Sequence, residues 1–191
     1  MNIVVAYQKK NRGIGLNNKI PWHLKNDLKH FRTLTSNDNG TLNNIVVMGR
    51  KTWESLPEKH RPLQNRINII LSKNMSEEDK YKIEESTVSY DPYVSFVTRD
   101  FSNVIDLINT PAEKNSNVFV IGGENIYKLA LEMNIVKRIY ATEIYTDLQC
   151  DRFFPEINTE KFKITKVSDF KKEGDVYYRF VEYTNIELVT D

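Results

Sequence analysis

The sequence predicts an α/β fold: a single domain with a mixed, mostly parallel central sheet, an antiparallel hairpin near its C-terminal end, and helices on both faces. Three observations lead there. Short β-branched runs of strand length recur along the chain, helical patterns fall between several of them, and the last third holds two longer strand-like runs separated by a polar turn. A chain of 191 residues with 40% hydrophobic and 28% charged side chains has the length of one domain and the apolar content for a core.

The strand runs, in order, are residues 3–6, 44–48, 67–71, 95–98, 118–121 and 138–144. After the first strand, Pro21 and Trp22 open a segment whose Leu24, Leu28, Phe31, Leu34 and Thr35 share one side at helical spacing, while Lys25, Asn26, Lys29, His30, Arg32 and Thr33 take the other. Residues 36–43 read as a polar loop containing Gly40, and residues 75–89 as a polar surface helix or loop. Residues 162–167 and 176–183 read as the paired C-terminal strands, with Lys171, Lys172, Glu173, Gly174 and Asp175 as the turn. The domain then spans residues 1–184, and residues 185–191 form a tail or linker.

Lys plus Arg total 27 against 26 Asp plus Glu, so the net charge of +1 gives no long-range attraction for nucleic acid or an anionic membrane. No apolar stretch approaches the roughly 18 residues of a membrane span, and the N-terminus lacks the pattern of a signal peptide. The single cysteine, Cys150, excludes an internal disulfide and fits a packed residue in a reducing compartment, so the expected location is cytoplasmic. His23, His30 and His60 show no ligand spacing, and no metal is expected.

One residue breaks the helical pattern: Asp27 falls between Phe31 and Leu34, on or beside the apolar stripe. Two readings follow. Asp27 is a first-turn residue favoured by the helix dipole and still reaching water, or it is a pocket acid whose pKa burial raises and whose carboxyl meets a cationic or amidine-like ligand edge. Further signals lie at strand ends. Gly122 and Gly123 join a strand to a helix, as a tight turn or as a phosphate approach. Gly49, Arg50, Lys51 and Thr52 follow the second strand, and Ser72 and Lys73 the third, which together suit a polyanion along the carboxyl edge of the sheet or else solvated loops. Arg66 and Arg61 stand near the entrance of the third strand, as carboxylate forks or as ordinary surface arginines. Neither a three-glycine dinucleotide fingerprint nor a Walker-type loop is present.

Taken in order, these stretches resemble dihydrofolate reductase over residues 3–183. Gly13, Ile14, Gly15, Ile20, Pro21, Trp22 and Asp27 are similar to that family's mobile loop and acid-bearing helix. Val47 through Ser55, Arg61 through Leu63 with Arg66 through Asn68, Ile121 through Tyr127, and Thr142 with Asp151, Phe153, Phe154 and Pro155 follow in the same order. The resemblance implies reduction of 7,8-dihydrofolate by hydride transfer from NADPH to C6, with protonation at N5. It implies Asp27, Thr142 and a water near Trp22 at the pterin edge. Val5, Ala6, Leu28, Phe31, Leu56 and Ile121 become walls for the substrate, and Arg66 the partner of its glutamate carboxylate.

For the cofactor the resemblance implies Ala6, Gly13, Ile14, Gly15 and Leu16 near the nicotinamide. Gly49, Arg50, Lys51, Thr52, Leu71, Ser72, Lys73 and Arg99 would meet the adenosine phosphate side. Gly122, Gly123, Glu124, Asn125, Ile126 and Tyr127 would line the paired-glycine turn and the helix after it. Cis peptides at 61–62 and 122–123 are implied as well. The long stretches at 36–43 and 75–93 resemble the eukaryotic type, and the family also occurs fused to thymidylate synthase. Dihydrofolate and antifolates are the implied ligands, and a monomer the implied state outside such a fusion. Two other readings stay open on the residues: the related pyrimidine reductase of riboflavin synthesis, and a non-catalytic relative of the fold.

Overall fold

The computed structural model describes residues 1–36, 44–88, 95–110, 113 and 116–189. In chain order its elements are β1 (Asn2–Gln8), β2 (Gly13–Gly15), α1 (Lys25–Thr35), β3 (Asn44–Gly49), α2 (Arg50–Ser55), β4 (Arg66–Leu71), α3 (Glu77–Val88) and β5 (Ser95–Thr98). There follow α4 (Phe101–Ile108), β6 (Val118–Gly122), α5 (Glu124–Glu132), β7 (Arg138–Tyr145), β8 (Arg152–Phe153), β9 (Phe162–Val167), β10 (Lys171–Glu173) and β11 (Val176–Asn185). Each run expected as a strand is a strand, with ends shifted by one or two residues. The polar loop expected at 36–43 lies, beyond Ser36, outside the described residues.

The chain forms two compact units, one of Met1–His30 with Val120–Asp191 and one of Phe31–Phe119. In the second unit β3, β4 and β5 pair in parallel, with Ile45 beside Ile67 and Ile69 beside Phe96. Every residue of β4 is buried, as a strand in a parallel sheet with both faces covered requires. Residues 75–89, expected as helix or loop, supply the helix α3, opened by Ser76, whose hydroxyl accepts the Asp79 amide at 3.1 Å.

In the first unit β7 pairs in parallel with β1 and antiparallel with β11. One correction concerns the hairpin. The run 171–175 expected as its turn is itself partly a strand: β10 pairs with β11 from Lys171 opposite Tyr178 to Glu173 opposite Val176, and Gly174 alone carries the positive φ of 59° in a tight reversal. Strand β9 also pairs with β11, farther along it. Strand β11 continues past the expected end at residue 183 because Thr184 and Asn185 are buried, and the Asn185 side-chain amide donates to the Val136 carbonyl at 3.1 Å.

Register and the two-residue period of strands sort the side chains of β7 onto opposite faces. Thr142 lies between Ala6 of β1 and Phe180 of β11, and the next residue, Glu143, lies between Tyr7 and Arg179. Glu143 is fully buried and accepts hydrogen bonds from Arg179 at 2.9 Å, Tyr183 at 2.9 Å, Tyr145 at 3.2 Å and Tyr7 at 3.3 Å, as well as from Lys9. Burial alone would raise its pKa, but the bonds from Lys9, Arg179 and Tyr183 outweigh it and hold the carboxyl below the usual glutamate range. The stabilisation is therefore present above the ordinary glutamate pKa and is lost as pH falls through the lowered folded-state value. Glu143→Ala is expected to cost about 2–4 kcal/mol in denaturant unfolding at neutral pH, somewhat under a fully buried pair because Lys9 and Arg179 reach water. A loss below about 1 kcal/mol would show that the cluster contributes little.

Candidate active site

The acid singled out by periodicity is half-buried. Asp27 stands in the first turn of α1, and the Thr142 hydroxyl donates to its Oδ1 at 2.6 Å. Thr142 is 4% exposed, and Ala6 and Phe180 flank it on the neighbouring strands. Burial pushes the Asp27 carboxyl above the usual aspartate range, the Thr142 hydrogen bond pulls the other way, and the charge of Glu173 adds to the rise.

The helix bearing Asp27 departs from its expected pattern in an informative way. The stripe predicted to face the core is only partly buried: Thr35 is covered, Phe31 and Leu34 are half-buried, and Leu28 is 50% exposed. Leu24, the first of the predicted stripe, is buried just before the helix starts, against Ile144 and Tyr178 with Trp22 and Ala6 packed on them. An exposed leucine one residue from a proton-retaining acid suits the wall of a binding site better than a core. His30, placed by the pattern on the solvated side, instead stacks on Phe180 with ring centres 3.9 Å apart. Burial, and secondarily the charge of Lys171, lowers its pKa.

Nearby in the same unit, β2 carries Gly13, Ile14 and Gly15 and pairs with β8. Gly13 is buried because a side chain has no room: a Cβ there would meet Cys150 Sγ at 2.5 Å and Cβ at 2.7 Å, and Gln8 Nε2 at 2.9 Å. Leu16 is half-buried, its amide paired with the Lys19 carbonyl. Strand β6 ends in the Gly122–Gly123 peptide, which is cis, as is Arg61–Pro62 in the second unit. Gly123 caps α5 without a side-chain hydrogen bond, and Ile121, Glu124 and Ile126 are half-buried around the turn, with Asn125 exposed. Tyr127 is buried and donates to the Val4 carbonyl at 2.9 Å, next to Val5 and Ala6 in the middle of β1.

The second unit gathers the other expected residues. Arg66 is 5% exposed rather than a surface group: its Nε donates to the Gln64 carbonyl at 2.8 Å and its Nη1 to the Thr35 hydroxyl at 2.7 Å, with the guanidinium 5.8 Å from the Phe31 ring centre. Leu56 and Thr52 are half-buried, Lys51 is exposed, and Arg50 pairs with Glu54 at 3.5 Å. Past Leu71, the Ser72 amide bonds the Thr98 carbonyl at 2.9 Å, and at this carboxyl edge of β4 and β5 opens a cavity of about 260 Å³ lined by Ser72, Val97, Thr98, Arg99, Asn103 and Met75. Lys73 is exposed beside it. Sequence reading missed that Glu77 also lines this cavity and pairs with Arg99 at 3.1 Å and Lys80 at 4.0 Å. It likewise missed Glu173 near Asp27, because nothing in local pattern joins a hairpin residue to a distant helix.

An α/β fold that carries a half-buried carboxyl, held by Thr142 and next to an exposed leucine, is of a class that can take a small ligand at an acid. Comparison with known proteins narrows this. The family model for dihydrofolate reductase matches residues 1–185. The chain is 38% identical over 172 residues to the dihydrofolate reductase of Schistosoma mansoni, covering 88% of this chain and 85% of the relative. It is 36% identical over 193 residues to that of Rattus norvegicus, covering 96% of each. A bifunctional dihydrofolate reductase-thymidylate synthase of Plasmodium chabaudi is 34% identical over 217 residues, covering 93% of this chain and 34% of the relative. The chain belongs to the dihydrofolate reductase family. It is an oxidoreductase of one-carbon metabolism that reduces dihydrofolate to tetrahydrofolate, and the family implies a nicotinamide cofactor. Among the described residues no helix is long and apolar enough to cross a membrane.

The crowding at Gly13 is directly testable. Gly13→Ala is expected to lower stability by about 1–3 kcal/mol, since Cys150 and Gln8 must move. Adding Cys150→Gly to that variant should recover most of the loss in thermal unfolding. An unchanged melting temperature in Gly13→Ala would mean that β2 yields at no cost.

Proposed function

We propose that this chain reduces dihydrofolate with NADPH in a single reductase domain, residues 1–184, and that Asp27 is the acid that binds the pterin and favours its protonated form. The observation that carries the assignment is the Thr142 hydrogen bond to Asp27 at 2.6 Å on a wall where burial raises the carboxyl's pKa. When bound, the cofactor supplies a hydride to C6 of the substrate. The remaining work falls to the protein. Asp27 hydrogen-bonds the pterin 2-amino and N3 edge, Thr142 fixes the carboxyl's rotamer, and Trp22, packed on the Leu24 cluster, borders a water at that edge. In the first unit Val5, Ala6, Leu28 and Ile121 would wall the heterocycle, and in the second Phe31 and Leu56 would wall the substrate and Arg66 would pair with its glutamate carboxylate. Antifolates with a diaminopyrimidine edge would pair with Asp27 in the same way.

The cofactor's fit is supported by three features. Gly122 and Gly123 bring backbone without side chains to the start of α5, whose cap uses no side chain, a place suited to a pyrophosphate. Ala6, with Gly13, Ile14, Gly15 and Leu16, offers a small, half-buried border for the nicotinamide. The cavity of about 260 Å³ at the carboxyl edge of β4 and β5 is near the lower limit for small-molecule pockets, suited to one end of a dinucleotide. There Ser72, Lys73 and Arg99, with Lys51, Arg50 and Thr52 after β3, would meet the 2′-phosphate side, and Arg99 must exchange its Glu77 partner to do so. We take the working form to be a cytoplasmic monomer outside any fusion. Cys150, held as an acceptor by Gln8 at 2.9 Å, is a packing residue in this reading.

Two measurements follow. Because the folded-state pKa of Asp27 lies above its unfolded value, the carboxyl opposes folding once pH rises above the ordinary aspartate range. Asp27→Asn should therefore fold at least as stably at neutral pH and still bind NADPH. Its turnover should drop about 10²–10⁴-fold, a loss that shrinks at acid pH as solvent supplies the proton. Unchanged turnover at neutral pH would remove Asp27 from the reaction. Neutralising Lys51 and Lys73 together should narrow the preference for NADPH over NADH in kcat/KM by about tenfold or more. An unaltered preference would place the 2′-phosphate elsewhere.

A further inference from the structure

We infer that Glu173, reaching from the C-terminal hairpin onto the first two amides of α1, is a positioning residue for Asp27 that fixes both the acid's place and the field it feels. This rests on the reading of Asp27 as the pterin-binding acid. Glu173 ends β10, and its two carboxylate oxygens accept the Lys25 amide at 2.5 Å and the Asn26 amide at 3.2 Å, the two residues immediately before Asp27. A helix leaves its first amides without internal partners, and a local Ser, Thr, Asp or Asn normally covers them. Here the residue before the helix is Leu24, which has no acceptor side chain, and the cap comes from 148 residues away.

The cap ties the acid into the sheet from a second side. Strand β10 pairs with β11, β11 pairs with β7, and β7 carries the Thr142 that holds Asp27. Side chain and backbone of the acid-bearing turn are thus both held from one strand array. The electrostatic consequence has a definite sign. Exposed amides at a helix start favour an ionised first-turn carboxyl, and an anion already seated on them offsets that field, so the neighbouring acid keeps its proton to higher pH. Glu173 remains ionised, since the bond from the Lys25 amide chiefly, and that from Asn26, hold it below the usual carboxylate range. The other titratable groups around Asp27 are Tyr178 from β11 and Tyr127 from α5, both pushed upward by burial, and His30 on its own helix with Lys171 beside it. His23 and Lys25 lie nearer to Glu173. None of these supplies a second anion at the helix start.

The test measures single-turnover hydride transfer from NADPH to dihydrofolate as a function of pH in Glu173→Gln, Glu173→Asp and Asp27→Asn, alongside the carbon-13 titration of the Asp27 carboxyl. In Glu173→Gln, Asp27 should titrate at lower pH than in the parent. Hydride transfer on the alkaline side should fall about three- to tenfold while the acid side stays near the parent rate. Glu173→Asp, which keeps the charge, should recover part of the alkaline rate. Superimposable pH profiles, or a uniform fall with an unmoved Asp27 titration, would reduce Glu173 to a structural cap and overturn the inference. If Asp27→Asn instead transfers hydride as fast as the parent at neutral pH, the assignment beneath the inference is what fails.

Discussion

A single hydrogen bond, from Thr142 on β7 to Asp27 on α1, ties the acid-bearing helix to the sheet. Its geometry depends on the sheet. Thr142 has its place because β7 is clamped between β1 and β11 in a register that sets Ala6 on one side and Phe180 on the other. A slip of one residue would turn Thr142 away and present Glu143 instead, so the strand pairing is the constraint from which the site follows.

The two faces of β7 carry two carboxyl systems of opposite character. Asp27, met by one hydroxyl and facing the charge of Glu173, keeps its proton beyond the usual range. Glu143, met by Lys9, Arg179 and three tyrosines, loses its proton more readily than usual. Burial pushes both upward, and the charged donors that Glu143 has and Asp27 lacks decide the direction. The division of labour is physical: the saturated carboxylate holds three strands together, and the undersupplied one keeps the acceptor capacity that, in the proposed function, the donors of a ligand would fill.

Much of this was legible before any coordinates. Strands of β-branched residues such as Ile3, Val4, Val5 and Ile67 through Leu71 declare themselves by composition, and Asp27 declared itself by interrupting a helical stripe. Thr142 did not: an isolated threonine in a strand carries no local signal, and only the family resemblance drew attention to it. The hairpin turn is hard to read because β10 has the polar composition of a turn, and its partners, such as Tyr177 under the Lys172 ammonium, lie on another strand. Glu173 and Glu143 were invisible for a related reason, since their partners lie 147 and 134 residues away for Asn26 and Lys9. Arg66 was found but its surroundings were not, because burial against Thr35 and Phe31 depends on tertiary packing.

The central claim is that Asp27 retains its proton above the range of an ordinary aspartate. Site-resolved carbon-13 titration of the aspartate carboxyls, assigned by the loss of one resonance in Asp27→Asn, measures this without reference to turnover. The account predicts that the resonance missing from the variant titrates above the ordinary value near 3.8. An Asp27 resonance titrating at or below that value would contradict it.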